Sequence, residues 1–324
     1  MDQNLDYTLL YRVAKAYFKD KMTQQEIAEV ENFSRSQISR MLKKAQDEDL
    51  VTYTLNFPSN VDEGDLAAKL QETLKLQKVV LIPSFYGNRP KISSDDICKN
   101  LALGAADKFA DLLAGAKTIG VGWGRTMYNA SLYVRSQPFL RGRTFVPLIG
   151  LSGDSNPMLQ VNTIVDRFGE RFHAERKYVN LQSLQAQDSL NPYDQAVFNA
   201  LLSKWGELDA AIIGIGGPPT NVKNLISEFP RHYKKQIQSS GTVGDILSQF
   251  FYEDGQIFNL DVNFRLLALN IDELRRVPNV IALAAGQDKC KPICVAAKLG
   301  YIKTLVTDYD TANYILQFKG DSKL

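Results

Sequence analysis

The sequence predicts an α/β chain in two parts. A small, all-helical domain with one wing strand covers residues 1–57, a linker and bridging helix follow over 58–77, and a larger α/β domain runs from 78 to 324. Three observations carry this. At 324 residues the chain exceeds one small module and has length for two hydrophobic cores. Residues 22–46 carry two helix-start signatures in close succession. Beyond about residue 78, short apolar runs alternate with longer amphipathic segments, the signature of strands alternating with helices in a largely parallel sheet covered on both faces.

Residues 5–20 read as a helix with Leu9, Val13, Ala16 and Tyr17 along one apolar stripe. Thr23-Gln24-Gln25-Glu26 then has the form of a capping box, a hydroxyl followed three residues later by a carboxylate that reaches back. Ser34-Arg35-Ser36-Gln37 repeats the pattern with Gln. Between them lies a tight turn, Glu31-Asn32-Phe33-Ser34. In the second helix Ile38, Met41, Leu42 and Ala45 recur on one face, while Ser36, Ser39, Arg40 and Lys43 are displaced by about 200° and point away from it. From Ser34 to Lys44 every charge is positive. A helix packed on one side and offering hydroxyls and cations on the other suits a DNA major groove, and the arrangement reads as a helix-turn-helix. A solvated amphipathic hairpin is the plain alternative.

Leu50-Val51-Thr52-Tyr53-Thr54-Leu55-Asn56-Phe57 alternates as a strand does and predicts the wing. Pro58-Ser59-Asn60 marks the linker, and 65–76 reads as a helix. Strands follow at Val79–Ile82, Thr118–Val121, Thr144–Ile149, Ala210–Ile215, Val280–Ala284 and Thr304–Thr307. The helices between them include Ile97–Leu113, Thr126–Arg135, Asn162–Phe172 and Ile293–Leu299.

Composition narrows the function classes. A net charge of +2 carries no nucleic-acid signal, and the first 57 residues are slightly acidic, so a DNA reading rests on the local cluster Arg35, Arg40, Lys43 and Lys44. Three cysteines argue against a disulfide framework and for a reducing cytosol. No apolar run is long enough to cross a bilayer, and Met1-Asp2-Gln3-Asn4 does not open a signal peptide, which predicts a cytoplasmic protein.

Three loops in the larger domain carry possible chemistry. Thr118-Ile-Gly-Val-Gly-Trp-Gly-Arg-Thr126 runs from strand through glycines into helix, so Gly122, Trp123 and Gly124 allow close backbone approach, and Arg125 and Thr126 add a charge and a hydroxyl at a helix start. It is neither a dinucleotide fingerprint, since Arg125 stands where the third glycine would fall, nor a P-loop. No cofactor or metal is called for. Gly214-Ile-Gly216-Gly-Pro-Pro219 also leaves a strand end and reads equally as a binding loop or a structural turn. In Ala284-Ala-Gly-Gln-Asp-Lys289 the lysine suits a phosphate, although a plain surface lysine is the simpler reading. Asp245 is either an acceptor for sugar hydroxyls or a helix N-cap. Cys290 and Cys294 read as small buried residues, and His173 and His232 sit in no catalytic motif.

On these residues the chain resembles the SorC family of bacterial sugar-responsive transcriptional regulators. The resemblance runs over TQQEIAEVENFSRSQISRMLKKAQDEDLV, IGVGWGRTM, GIG, VGDILSQFF and EDG, AAGQDKCKPI and KLGYIKTLVTDYDTA, in order along nearly the whole chain. It implies an effector domain similar in fold to sugar-phosphate isomerases of the glucosamine-phosphate deaminase and ribose-phosphate isomerase type. It also implies a phosphorylated sugar as effector and a homodimer or homotetramer on double-stranded operator DNA. Gly122, Trp123, Gly124, Arg125 and Thr126 then fall on the loop that meets the ligand, with Gly214 and Gly216 beside it. Asp245 falls on the acidic residue at the ligand hydroxyls, and Lys289 on the lysine of the last loop. On the DNA side Ser36, Ser39 and Arg40 would read bases or nearby phosphates and Arg35, Lys43 and Lys44 would hold the backbone, with the helix starts Thr23, Gln24, Ser34 and Gln37 completing the interface. Two segments depart from the family pattern: Glu31-Asn32-Phe33 replaces its usual Leu-Gly-Ile turn, and Gln287 replaces a glycine in the last loop. A rival of another class is a sugar-phosphate isomerase or deaminase with a helical appendage, for which Asp245 is the one candidate base. A protein-binding scaffold built on the N-terminal helices is a third.

Overall fold

The computed structural model describes residues 7–48, 50–51, 63–84, 92–136, 142–152, 156–186, 191–220, 231–259 and 264–321. The chain divides into two compact units, Met1–Pro58 and Ser59–Leu324. The wing strand expected at 50–57 and the linker at 58–60 lie outside the described residues, apart from Leu50 and Val51.

In the N-terminal unit the helix expected at 5–20 is α1 (Tyr7–Ala14), prolonged by a π-helical turn at Lys15–Lys19. It is followed by α2 (Gln24–Glu31) and α3 (Arg35–Asp47). Val13, Ile27, Ala28, Ile38 and Leu42 form the core, and Leu9, Ala16, Tyr17 and Met41 pack against it. Both capping boxes form. Glu26 N–H donates to Thr23 Oγ1 (3.2 Å) and Thr23 N–H to Glu26 Oε2 (2.7 Å); Gln37 N–H donates to Ser34 Oγ (3.3 Å) and Ser34 N–H to Gln37 Oε1 (2.8 Å). The hydrogen bonds from Thr23 hold the Glu26 carboxyl below its ordinary range. Arg12 Nη2 meets Glu31 Oε2 at 2.6 Å and ties α1 to α2.

Asn32 closes α2 in the left-handed conformation, φ 56° and ψ 41°. It is thus the residue that lets the chain turn into α3 without a glycine. Asn32→Gly is expected to leave the thermal transition of this unit within about 0.5 kcal/mol of the parent, whereas Asn32→Val costs about 1–2 kcal/mol. Calorimetry of the full chain reads this directly, and an unchanged midpoint for the valine variant would contradict the turn.

The larger unit opens with α4 (Glu63–Leu74), then alternates: β1 (Lys78–Ile82), α5 (Ser94–Ala105), α6 (Phe109–Leu112), β2 (Thr118–Val121), α7 (Arg125–Tyr133), β3 (Thr144–Pro147), α8 (Val161–Arg171) and β4 (Glu175–Arg176). Next come β5 (Leu184–Ala186), α9 (Pro192–Gly206), β6 (Ala210–Gly214), α10 (Arg231–Ser239), β7 (Gly244–Ile246), β8 (Gln249–Phe251), β9 (Phe264–Leu266), β10 (Asn279–Leu283), α11 (Cys290–Lys298), β11 (Thr304–Asp308) and α12 (Tyr309–Asp321). All six expected strands are present within a residue or two. The single helix expected at Ile97–Leu113 is two, because the chain turns between Ala105 and Phe109. Thr144–Ile149 ends as a strand at Pro147, with Ile149 making only an isolated bridge to Ala268.

Seven strands pair in parallel in the order β1-β11-β10-β6-β2-β3-β4. Ala210, Ala211, Ile212 and Ile213 of β6, and Val280, Ile281, Ala282 and Leu283 of β10, have no exposed surface. Strands covered on both faces read as unbroken apolar runs, which is why they were legible. One side of the core is aromatic, with Phe145 stacked on Phe168 at 5.8 Å and Phe109 edge-on to Phe168 at 5.4 Å.

The order of the strands fixes where a ligand fits. After β2 the chain winds outward through β3 to β4; after β6 it winds the other way, through β10 to β11. The reversal lies between the adjacent strands β2 and β6, and in open α/β sheets the connections diverge there and leave a crevice at the carboxyl ends of the strands.

Candidate effector cleft and DNA-facing helix

The loops leaving β2 and β6 are the two glycine loops, and a cleft of about 620 Å³ opens at that crevice. Its wall includes Trp123, Gly124, Arg125, Thr126, Gly214, Gly216, Asp245 and Lys289. Residues spread over more than 160 positions of sequence are therefore brought together by the sheet. Gly122 is the exception. It is buried beneath the wall, its N–H donates to the Ile212 carbonyl (2.8 Å), and a side chain there would press on Leu247.

Gly124 caps α7 with φ 100° and ψ 177°, a conformation that requires glycine, and no side chain occupies the helix start. The start of α7, Gly124 to Thr126, lines the cleft, and a helix start left without a side-chain cap suits an anion. Arg125 is held at the rim by Asp95, Nη1 to Oδ1 at 2.7 Å. Thr126 is buried, with its hydroxyl 3.3 Å from the Cys98 thiol.

Asp245 lies in strand β7 and, contrary to the N-cap alternative, caps no helix. Strands β7 and β8 form a hairpin whose turn is Leu247-Ser248, at φ 52° and 63°. Ser248 N–H donates to Asp245 Oδ2 (3.2 Å), and Gly216 N–H donates to the Asp245 carbonyl (2.8 Å). The carboxylate is half-buried. Burial pushes its pKa up to about 6, against the pull of the Ser248 N–H and the positive charge of Lys289.

Lys289 ends a 3₁₀ turn, Gln287–Lys289, that leads into α11. The glycine this turn needs is Gly286, at φ 118°; Gln287 is exposed and off the cleft wall, so a side chain is accommodated there. Gly286 N–H donates to the Thr311 hydroxyl (2.7 Å), and Thr311 N–H to Asp308 Oδ1 (2.8 Å). The Thr-Asp-Tyr-Asp-Thr ending therefore fixes the last loop from behind. Wall residues that the sequence did not single out include Phe250 and Leu247 from the hairpin, Ser94 at the start of α5, Ser152, Asn156 and Asp288. Cys290 and Cys294 are buried free thiols, and burial pushes Cys290 up to about 12.

On α3, Ile38, Leu42 and Ala45 are buried while Arg35, Ser36, Ser39, Arg40, Lys43 and Lys44 are exposed. Among the described residues none of these four cations pairs with a carboxylate. Thr23, Ser34 and Gln37 are engaged in their capping boxes, and Gln24 is half-buried. Arg40 Nε donates to the Ser36 carbonyl at 3.4 Å.

Residues 59–317 match the model of the sugar-binding domain family, and the chain belongs to that family. It is 27% identical to the sorbitol operon regulator of Klebsiella pneumoniae, over 98% of this chain and all of that protein. It is also 27% identical to the transcriptional regulator LsrR of Escherichia coli K12, over 94% of this chain and 93% of that one. Among solved structures it is similar to full-length SorC from Klebsiella pneumoniae, with a TM-score of 0.70 and 26% identity over 95% of this chain and 98% of that one. A DeoR family transcriptional regulator from Listeria monocytogenes gives 0.65 and 26% over 79% of this chain and all of that one. The SorC-family resemblance read from the motifs holds, and the chain is a transcriptional regulator with a sugar-binding domain rather than an enzyme. Among the described residues no helix is long and apolar enough to cross a membrane.

Proposed function

We propose that the chain is a cytoplasmic repressor or activator of a carbohydrate-utilisation operon that reads operator DNA through α3 and is controlled by a phosphorylated sugar in the cleft between β2 and β6. The single observation that carries this is the meeting, at the sheet's switch point, of a bare helix start (Gly124–Thr126), a lysine and a half-buried carboxylate. A phosphate takes N–H donors and a cation, whereas sugar hydroxyls donate to a carboxylate, so one molecule carrying both groups satisfies the wall. The domains read from the sequence, 1–57 and 78–324, divide output from sensing, and a homodimer or homotetramer places two α3 helices on one operator. The effector shifts operator affinity by about 1–3 kcal/mol, a typical coupling between sites.

A gel-shift titration with DNA from upstream of its own gene, run across a salt series, tests the output. Specific binding that persists at moderate salt is expected. Arg40→Ala weakens it about 10–100-fold, and Lys43→Ala weakens all sequences alike while lowering the salt slope by about one. Loss of all sequence preference at moderate salt in the parent protein overturns the reading.

A further inference from the structure

We propose that Asp288 and Asp245 together restrict the cleft to sugars carrying one phosphate and close it to bisphosphates, with Asp288 as the specificity-determining residue. This rests on the effector reading above and names the ligand class within it. The observation is a placement that the sequence does not show. The Asp245 carboxylate lies directly against Gly216, and the Asp288 carboxylate lies directly against the next residue, Gly217, with its other oxygen against Gly286. The glycines of this loop leave room for two acidic groups, set one residue apart along the cleft wall.

The balance of charge follows from the other partners. Of the two cations on the wall, Arg125 is already met by Asp95 at 2.7 Å, and Lys289 makes no ion pair among the described residues. One phosphate finds the helix start at α7, and Lys289, whose charge acts on Asp245, offsets only one of the two carboxylates. A second phosphate at the other end of the sugar meets two carboxylates, which can only accept hydrogen bonds from it when it carries a proton. Hydroxyls at that end donate to both. The carboxylates therefore favour a polyol end and repel a second anion, discrimination achieved by a repulsive element as well as an attractive one.

The test is thermal unfolding of the full chain with matched probes at equal concentration and ionic strength: glucose and fructose 6-phosphates against the 1,6-bisphosphates of the same sugars, and ribose 5-phosphate against ribulose 1,5-bisphosphate. At least one monophosphate is expected to raise the midpoint, and its bisphosphate partner to bind at least about tenfold more weakly. Asp288→Asn keeps the shape and removes the charge; it weakens the monophosphate by one charge-assisted hydrogen bond but relieves the repulsion of the bisphosphate, so the ratio between the two narrows severalfold. A bisphosphate that stabilises the parent as well as its monophosphate partner overturns the inference and leaves the effector reading standing. An unchanged ratio in Asp288→Asn does the same. If no probe of either class shifts the parent, the sugar-phosphate reading falls and this inference with it.

Discussion

Gly216→Ala weakens the effector response about 10–100-fold while leaving operator binding intact. A methyl group at 216 lands on Oδ1 of Asp245, inside any contact that real atoms make. The hairpin cannot retreat to relieve it, because Gly216 N–H holds the Asp245 carbonyl at 2.8 Å and the two residues form a bridge. The side chain therefore turns out of place. A hydrogen bond to a charged group contributes about 1.5–3 kcal/mol, so an effector that donates to this carboxylate loses about 10–100-fold in affinity, and more if two hydroxyls share it. Gly206, at the end of α9, has open space around it, so Gly206→Ala makes a matched control. Fluorescence anisotropy of labelled operator during effector titration reads both terms in one experiment. A normal effector midpoint in Gly216→Ala would remove Asp245 from the ligand's contacts.

The two glycine loops thus have different tasks. In the first loop the glycine at 124 serves the backbone, since its φ of 100° opens the start of α7 to an anion. In the second loop the glycines serve their neighbours, since the spaces at 216 and 217 hold carboxylates that arrive from the hairpin and from the turn before α11. Both loops look alike in sequence. Only the sheet order, which sets β2 beside β6 with their connections diverging, turns two glycine runs into the two sides of one cleft.

How much of this was legible depends on whether its cause was local. The capping boxes at Thr23 and Ser34 are decided within four residues, and both formed as read; the left-handed turn at Asn32 is set just as locally. The inner strands were legible because burial on both faces leaves unbroken apolar runs. The β7–β8 hairpin was not, because its turn is Leu247-Ser248, which carries neither the Asn-Gly nor the Asp-Gly signal that positive φ at two successive residues usually needs. That missed hairpin is why Asp245 seemed able to cap a helix. The strand β4, two residues long at the sheet edge, offers too little pattern to find. Asp288 was passed over since its partner, Gly217, lies far away in the chain and only the fold brings them together.

Asp245→Asn makes the ligand-free protein more stable at pH 7.5. Burial raises the folded-state pKa of Asp245 to about 6 from 3.8. A group with a raised folded pKa binds its proton more tightly when folded, so the stability it contributes is full below 3.8 and is lost as pH rises through about 6. At neutral pH the ionised carboxylate is thus a net cost. Two pKa units correspond to nearly 3 kcal/mol, which water in the open cleft reduces to roughly 1–2 kcal/mol. Asparagine keeps the shape and still accepts from the Ser248 N–H, so the variant is expected to melt a few degrees above the parent at pH 7.5, the gap closing as pH falls toward 4. A destabilising charge held in a binding cleft is the trade of stability for function that sites commonly show. The same substitution should therefore erase the effector's protection, and comparing the two proteins across pH 5–8 cancels the phosphate's own titration near 6. If Asp245→Asn melts lower than the parent at pH 7.5, the ionised carboxylate supports the hairpin and is no cost to the fold; if the effector protects the variant as well as the parent, Asp245 is not among the ligand's contacts.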